Sequence, residues 1–454
     1  MARILVATVP MTGHVRPMAA LVRALADRGH ALAWLAGPKF APLVEASGAA
    51  FIVLEARLDW DDADVEAAFP VLRGRRGLAR VRAQLDALFI APAPLQCRAL
   101  EAASATFRPD AVLADQAFMG AALLHEKAGL PWAGLGVSAL GMPSVDTAPF
   151  GSALPPGRGA RNRLLNALIL RGLFAGTNAA WRRARAAAGL APGRQMYFES
   201  FSPQLYLQPT VPGFEYPRCD LPPQVHFIGP LVLREPPRPQ ALPDWWADVE
   251  AARRDGRPVV LVTQGTLATD PRELIVPALR ALAQEDLLVV ATASPEGVAA
   301  ALGGALPANA RLAPFIAYPA LLPLLSAVVS NGGYGGVQQA LAQGLPLVVA
   351  GGSEEKPEIA ARVAWSGAGL DLRSGRPAPS RLREAVRRVL REPAFTARAR
   401  ALAAEMAACD APALGAALVE RLAATGAPVL RAEAAAGGAA LAAPLADMPR
   451  RSSS

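Results

Sequence analysis

SNGGYGGVQQALAQGLP, residues 330–346, follows the apolar run 321–329 and leads into a helix-forming segment. The order reads as strand, glycine turn, helix. Glycines at 332, 333, 335 and 336 strip side chains from the turn, so backbone N–H groups at the helix start can approach a ligand closely and point at negative charge. A phosphate suits such a turn. The same turn can also pack a helix tightly on a sheet, and a glycine run alone does not separate the two readings.

Working outward, the chain repeats one logic twice. Residues 4–9 form a short apolar strand, followed by a loop through 10–17 and a helix to about Arg28, with Met18, Leu21, Val22 and Leu25 on one face and Gly29 at its end. Further strands are expected at 31–36, 50–54, 110–115 and 131–137, with helices between. After proline-rich punctuation over 209–243 the alternation restarts, with strands at 259–263, 287–292, 327–330 and 347–350. Strand and helix in turn imply parallel sheets. The 454 residues exceed what one core usually fills. Two doubly wound α/β domains are therefore expected, joined near 230–243, with ligands in the cleft outside the carboxyl ends of their strands.

Composition narrows the class. The formal charge of +8 is carried by arginines scattered along helices, with no charged block interleaved with aromatics, so no nucleic-acid partner is expected. Lysine occurs only at 39, 127 and 356. Cys97, Cys219 and Cys409 show neither metal spacing nor the even count of a disulfide framework, which suits a cytoplasmic protein. The start of the chain reads as a strand, with neither the length nor the flanks of a signal peptide, and no run is long and apolar enough to span a membrane. Asp62 and Asp64 spell a DxD, but their polar setting before 65–69 fits a helix N-cap better than a metal site. A dehydrogenase reading fails for want of a GxGxxG after the first strand.

Several motifs in order carry a resemblance: GHVRP at 13–17, Asp115 after a strand, VTQGT at 262–266, and SNGGYGGVQQALAQGLPLVVAGGSEEKPEIAARV at 330–363. Together they resemble the UDP-dependent glycosyltransferases of the GT-B architecture, and 211–232 is similar to bacterial members that glycosylate macrolides and other natural products. The resemblance covers nearly the whole chain. It implies two Rossmann-like domains facing a central cleft: an acceptor domain at 1–235, and a donor domain at 236–425 whose last helix crosses back to the first. The alanine- and glycine-rich stretch 426–454 is expected to be disordered.

The resemblance makes His14 the general base and Asp115 the carboxylate that orients it. Sugar transfer to an alcohol needs a proton removed as the oxygen attacks, and an imidazole's ordinary pKa of about 6.5 suits that task. The bland alternatives are a helix-end polar residue and a turn former. His30, His125 and His226 lack such a context and read as structural.

In the second half Thr266 would bind phosphate oxygens, or simply cap a helix. Phe315 stands where relatives stack an aromatic on the uracil ring, although a lone phenylalanine is more often core. Gly332, Gly333, Gly335 and Gly336 would cradle the diphosphate. Asn331 replaces the family's usual diphosphate-contacting histidine, and Gln339 replaces its ribose-binding glutamate. Glu355 and Lys356 stand where an Asp-Gln pair usually holds the sugar, with a surface charge cluster of Glu354, Glu355, Lys356 and Glu358 as the plain alternative. No metal and no separate cofactor is expected.

The expected activity is inverting, metal-independent transfer of a hexose from a nucleotide diphosphate, taken as UDP, to a hydroxyl of an apolar small molecule: a polyketide, terpenoid, phenolic or lipid. The Asn331 and Gln339 departures keep a non-catalytic sugar-nucleotide- or aglycone-binding protein as the alternative. The basic amphipathic segment 161–185 reads either as a lid helix on the first domain or as a peripheral contact with a membrane that holds a lipidic acceptor.

Overall fold

The computed structural model describes residues 1–75, 77–157, 160–169, 172, 174–193, 196–232, 242–265, 270–352 and 354–432. Two parallel sheets organise them. The first has β1 (Arg3–Ala7), β2 (Ala31–Ala36), β3 (Ala50–Val53), β4 (Ala111–Asp115), β5 (Trp132–Leu135), β6 (Leu205–Gln208) and β7 (Val225–Phe227), in the order β3-β2-β1-β4-β5-β6-β7. The second has β8 (Val259–Thr263), β9 (Leu288–Thr292), β10 (Ala310–Ala313), β11 (Ala327–Ser330), β12 (Leu347–Val349) and β13 (Gly369–Asp371), in the order β10-β9-β8-β11-β12-β13. Every residue of β4 and β8 is buried, as strands covered by helices on both faces must be.

These orders place the sites. In the first sheet the strand order reverses between β1 and β4, and in the second between β8 and β11. Ligands in open parallel sheets sit at such switch points, outside the carboxyl ends of the strands. His14 follows β1 and Asp115 ends β4; Gln264 follows β8 and the glycine turn follows β11. The two-domain expectation holds, and the functional candidates converge on both crevices.

Helix Ala411–Thr425 crosses back onto the first domain. Its Ala411, Ala416, Val419 and Leu422 share a core with Val15, Leu21 and Leu25 of helix Thr12–Asp27. Glu420 bonds His30 Nε2 at 2.8 Å, and His30 Nδ1 accepts the Ala2 N–H at 3.1 Å, so His30 ties the first strand to the last helix. His125 bonds the Leu130 carbonyl at 2.9 Å. His226 bonds the Val429 carbonyl at 2.8 Å, and burial lowers its pKa and favours the neutral ring. All three are structural, as read from sequence.

Some details differ from the sequence reading. The first helix begins at Thr12 and not near Pro17, so His14 lies in its first turn, and Pro17 is carried inside the helix. Strands β6, β7, β10 and β13 were not foreseen; each has only three or four residues, too few to show a period. Residues 426–432, expected to begin a disordered tail, instead pack on the first domain: Val429 is fully buried and its N–H bonds the Gln204 carbonyl at 2.8 Å. The remainder of that expectation, 433–454, lies outside the described residues. So does the linker stretch 233–241.

Candidate active site

Asp115 is fully buried and accepts from four directions. Its Oδ2 takes the Val9 N–H at 2.8 Å, and its Oδ1 takes the Ala117 and Phe118 N–H groups at 2.6 and 3.2 Å. The same Oδ1 lies 3.1 Å from His14 Nδ1. Asp115 thus forms the turn after β4 and also meets the His14 ring. Because a carboxylate only accepts, Nδ1 carries the hydrogen and Nε2 is left with its lone pair. Nε2 makes no hydrogen bond to the described residues, and the His14 side chain is 13% exposed. That arrangement fixes the ring by one nitrogen and leaves the other open on one side, as a general base would require.

Asp62, read from sequence as part of a local helix N-cap, instead supports the same turn. Asp62 is buried, and its Oδ2 accepts the Thr12 N–H at 2.6 Å at the start of the His14 helix. Lys39 Nζ pairs with Asp62 and lies 3.0 Å from Asp61. Asp62 is thus not the cap of its own local helix. That cap is Asp64, which accepts the Ala67 N–H at 2.9 Å. Beside the His14 turn, Pro10, Leu58, Trp60, Phe69, Leu88 and Phe118 line an apolar pocket, with Trp60 edge-on to Phe69 at 5.2 Å.

Across the cleft, the four glycines separate into two kinds. Gly332 has φ +90°, and a Cβ there would meet Val349 Cγ1 at 3.0 Å and the Lys356 carbonyl at 3.2 Å, so the fold itself requires glycine. At Gly335 and Gly336 a Cβ would meet nothing within 4 Å, and at Gly333 only Asn331 Oδ1 at 3.8 Å. Packing does not ask for glycine at these three positions, and the space beside them is open. Helix Tyr334–Ala342 starts here without a side-chain cap, so the first N–H groups point outward unpaired within the helix, in the arrangement that binds phosphate.

The remaining candidates fall around this turn. Phe315 follows β10 and is 52% exposed, which removes the core alternative and leaves a ring available for stacking. Asn331 is buried and engaged inside the protein: Nδ2 donates to the Gln264 carbonyl, and Oδ1 accepts the Gly333 N–H at 3.4 Å. It joins the two loops of the switch point. Gln339 is half-buried on helix Tyr334–Ala342. Thr266 lies outside the described residues.

Glu355 and Lys356 depart from the surface-cluster alternative. Lys356 is 8% exposed and pairs with Glu354 at 2.6 Å, whereas Glu358 is buried and pairs with Arg362 at 2.9 Å. The Lys356 carbonyl packs against Gly332 and Gly351, so this turn lies directly on the glycine turn. Glu355 is half-buried, and burial together with the Glu354 charge pushes its carboxyl above the ordinary glutamate range, with Lys356 and His14 acting in the opposite sense.

One group with metal-binding potential occurs among the described residues: Asp146, Cys219 and Asp220, which sequence spacing did not suggest. Its carboxylates are already engaged by the Cys219 N–H at 2.6 Å, Ser144 Oγ at 2.6 Å and the Val145 N–H at 2.9 Å. It also belongs to the first domain, away from the glycine turn.

Comparisons with known proteins agree with this geometry. A family described as erythromycin biosynthesis protein CIII-like, C-terminal domain, matches residues 277–423. The chain is 43% identical over 425 residues to 4'-demethylrebeccamycin synthase of Lentzea aerocolonigenes, covering 92% of this chain and 99% of that one. It is 33% identical to UDP-glycosyltransferase 2 of Phaeomoniella chlamydospora, covering 90% and 93%. In fold it is similar to the crystal structure of the calicheamicin glycosyltransferase, with a TM-score of 0.70 at 24% identity over 94% of this chain and all of that one. The kitacinnamycin glycosyltransferase gives 0.71 at 23% identity, over 93% of this chain and 99% of that one. With two switch-point crevices facing each other, and relatives aligned over nearly their full length, the chain belongs to the UDP-dependent glycosyltransferases of the GT-B architecture and is a sugar-transferring enzyme.

Proposed function

We propose that the protein is an inverting, metal-independent glycosyltransferase that moves a hexose from a UDP-sugar to a hydroxyl of an apolar small molecule. The observation that carries this reading is the His14–Asp115 pair at 3.1 Å, at the first switch point, opposite the open glycine turn at the second. The acceptor hydroxyl enters beside the apolar pocket and loses its proton to His14 Nε2. Its oxygen bonds the anomeric carbon on the face opposite the diphosphate as the bond to the diphosphate oxygen breaks. Asp115 holds the imidazole in place and stabilises its protonated form. The amides of the glycine turn and the helix dipole take up the charge of the departing UDP. Relatives named for tylactone and aklavinone point to the natural-product class.

Free Cys97, Cys219 and Cys409 suit a reducing cytoplasm. Among the described residues no single helix is long and apolar enough to cross a membrane. The first test is UDP release from UDP-glucose in the presence of a panel of polyketide, terpenoid and phenolic alcohols, matched to glycoside formed. Donor consumption without any glycoside would defeat the reading.

Two further outcomes follow. Dialysis against a chelator leaves turnover unchanged, because in this reading the amides of the glycine turn and the helix dipole take up the charge of the diphosphate. Full loss of activity, restored by Mg²⁺ or Mn²⁺, would contradict this. Lys356→Gln removes the cation paired with Glu354 beside Gly332. The expected result is a change of about tenfold in relative kcat/KM among UDP- and dTDP-sugars, equivalent to about 1.4 kcal/mol in the transition state, with UDP affinity nearly unchanged. An identical order of preference in both proteins would remove Lys356 from donor selection.

A further inference from the structure

The loop 138–153 leaves the carboxyl end of β5 in the first domain, yet it is held from the second. Glu358 Oε1 accepts the N–H groups of Gly151 and Ala153 at 2.8 and 2.7 Å, while Oε2 takes Arg362 Nη1 at 2.9 Å. Arg362 Nε pairs with Glu215 Oε2 at 2.8 Å, and Glu215 Oε1 accepts the Leu140 N–H at 2.8 Å. Near the start of the loop, Gln208 Nε2 donates both to the Tyr334 hydroxyl at 2.9 Å and to the Ser138 carbonyl at 2.8 Å. Tyr334, Gln208, Glu215, Glu358 and Arg362 are all buried. Ala153 sits at φ +52°, a left-handed conformation that disfavours a residue with a Cβ, and the Glu358 carboxylate secures it there.

The origin of these tethers gives them meaning. Tyr334 lies between Gly333 and Gly335 in the glycine turn. Glu358 follows Glu355 and Lys356 on the turn that packs on Gly332. Each donor-side segment sends one buried side chain to the first domain: Glu358 bonds the loop directly, and Tyr334 reaches it through Gln208, which holds the Ser138 carbonyl. A ligand that fixes those segments therefore fixes the loop as well.

We infer that Glu358 and Tyr334 are positioning residues that place the acceptor-side loop 138–153 under the control of the nucleotide site, coupling donor binding to acceptor binding. The inference rests on the reading of 331–336 as that nucleotide site. By linkage, an acceptor that packs on the ordered loop tightens the nucleotide by the same factor that the nucleotide tightens it.

Amide hydrogen exchange tests this on the full-length protein, because exchange reports local opening directly. Peptides spanning 138–157 are followed in the wild type, Glu358→Ala and Tyr334→Phe, free and with saturating UDP or dTDP, and nucleotide affinity is measured in parallel by calorimetry. In the wild type, nucleotide slows exchange at Gly151 and Ala153 by about fivefold or more, the lower end of usual coupling factors. In Glu358→Ala that slowing disappears while nucleotide affinity stays within about threefold, a change well below the expected coupling. Arg362 keeps its Glu215 partner in this variant, so no cation is stranded. Tyr334→Phe, which removes one oxygen, loses the slowing over 138–142 and decides the matter if Glu358→Ala does not fold. Equal slowing in the wild type and the folded variants overturns the inference, as does a wild type that binds nucleotide without slowing. If neither nucleotide binds, the donor reading falls, and the tether is judged on the free protein. Exchange at Gly151 and Ala153 must then be at least about fivefold faster in Glu358→Ala, and an unchanged rate overturns the tether too.

Discussion

His14→Ala lowers sugar transfer by about 10²- to 10⁴-fold, the usual contribution of a positioned general base, and leaves UDP affinity close to that of the wild type. The asymmetry follows from placement. His14 stands at the switch point of the first sheet, whereas the glycine turn belongs to the second. Removing the imidazole takes away the proton acceptor and nothing that the nucleotide touches in this reading. Initial rates at saturating donor, with calorimetry of UDP binding, separate the two effects. Asp115→Asn slows transfer less completely, since the imidazole remains but loses the charge that faces it; the single amide oxygen can accept either the Val9 N–H or the Ala117 and Phe118 N–H groups, where the carboxylate takes both sets. A His14→Ala variant with most of its turnover would show that another group removes the proton.

Arg362→Met is the substitution expected to cost most in stability. Arg362 is 1% exposed, pairs with Glu215 at 2.8 Å and Glu358 at 2.9 Å, and stacks over Tyr216 at 4.2 Å. Burial alone would lower its pKa, but the two carboxylates raise it above the ordinary value, so the cation is firmly held. Methionine fills much of the volume and leaves two buried carboxylates without a cation. Breaking one side of a buried pair costs about 3–5 kcal/mol. A thermal or urea transition of the variant within about 1 kcal/mol of the wild type, the range of an exposed pair, would show that the network carries no net stability. Loss confined to interdomain packing would show as a separate early transition, because the core on one face of the second sheet includes Ala139, Val211 and Phe214 of the first domain.

The sequence made some of this visible and hid the rest for physical reasons. Apolar runs such as 4–9 and 259–263 stand out because strands buried on both faces must be continuously apolar. The same alternation puts His14 and Asp115 at strand ends. Three- and four-residue strands such as β7 and β10 carry no period. The helix start at Thr12 was obscured by Pro17, which ordinarily marks a boundary and here sits inside the helix.

The charged seam was harder still. Glu358 lies in a run of acidic residues and reads as helix surface; only the fold brings Arg362 to Glu215, 147 positions away in sequence. Asp62 meets Thr12 across 50 positions, and only at that distance does its carboxylate support the His14 turn. Local pattern reports what a residue prefers, and these residues act through partners that chain order does not reveal. The glycine turn lies between the two cases. Its glycines were plain in the sequence, but only the open space around Gly335 and Gly336 separates a ligand's requirement from a packing requirement.

The central claim is direct displacement at the sugar with His14 taking the acceptor proton, and the anomeric configuration of the product tests it most directly. Wild-type enzyme is supplied with UDP-glucose, whose glucose is α-linked, and with whichever panel alcohol it glycosylates, and the isolated glycoside is examined by proton NMR. A β-glucoside is predicted, because a single displacement from the face opposite the diphosphate inverts the anomeric carbon. An α-glucoside would contradict the account.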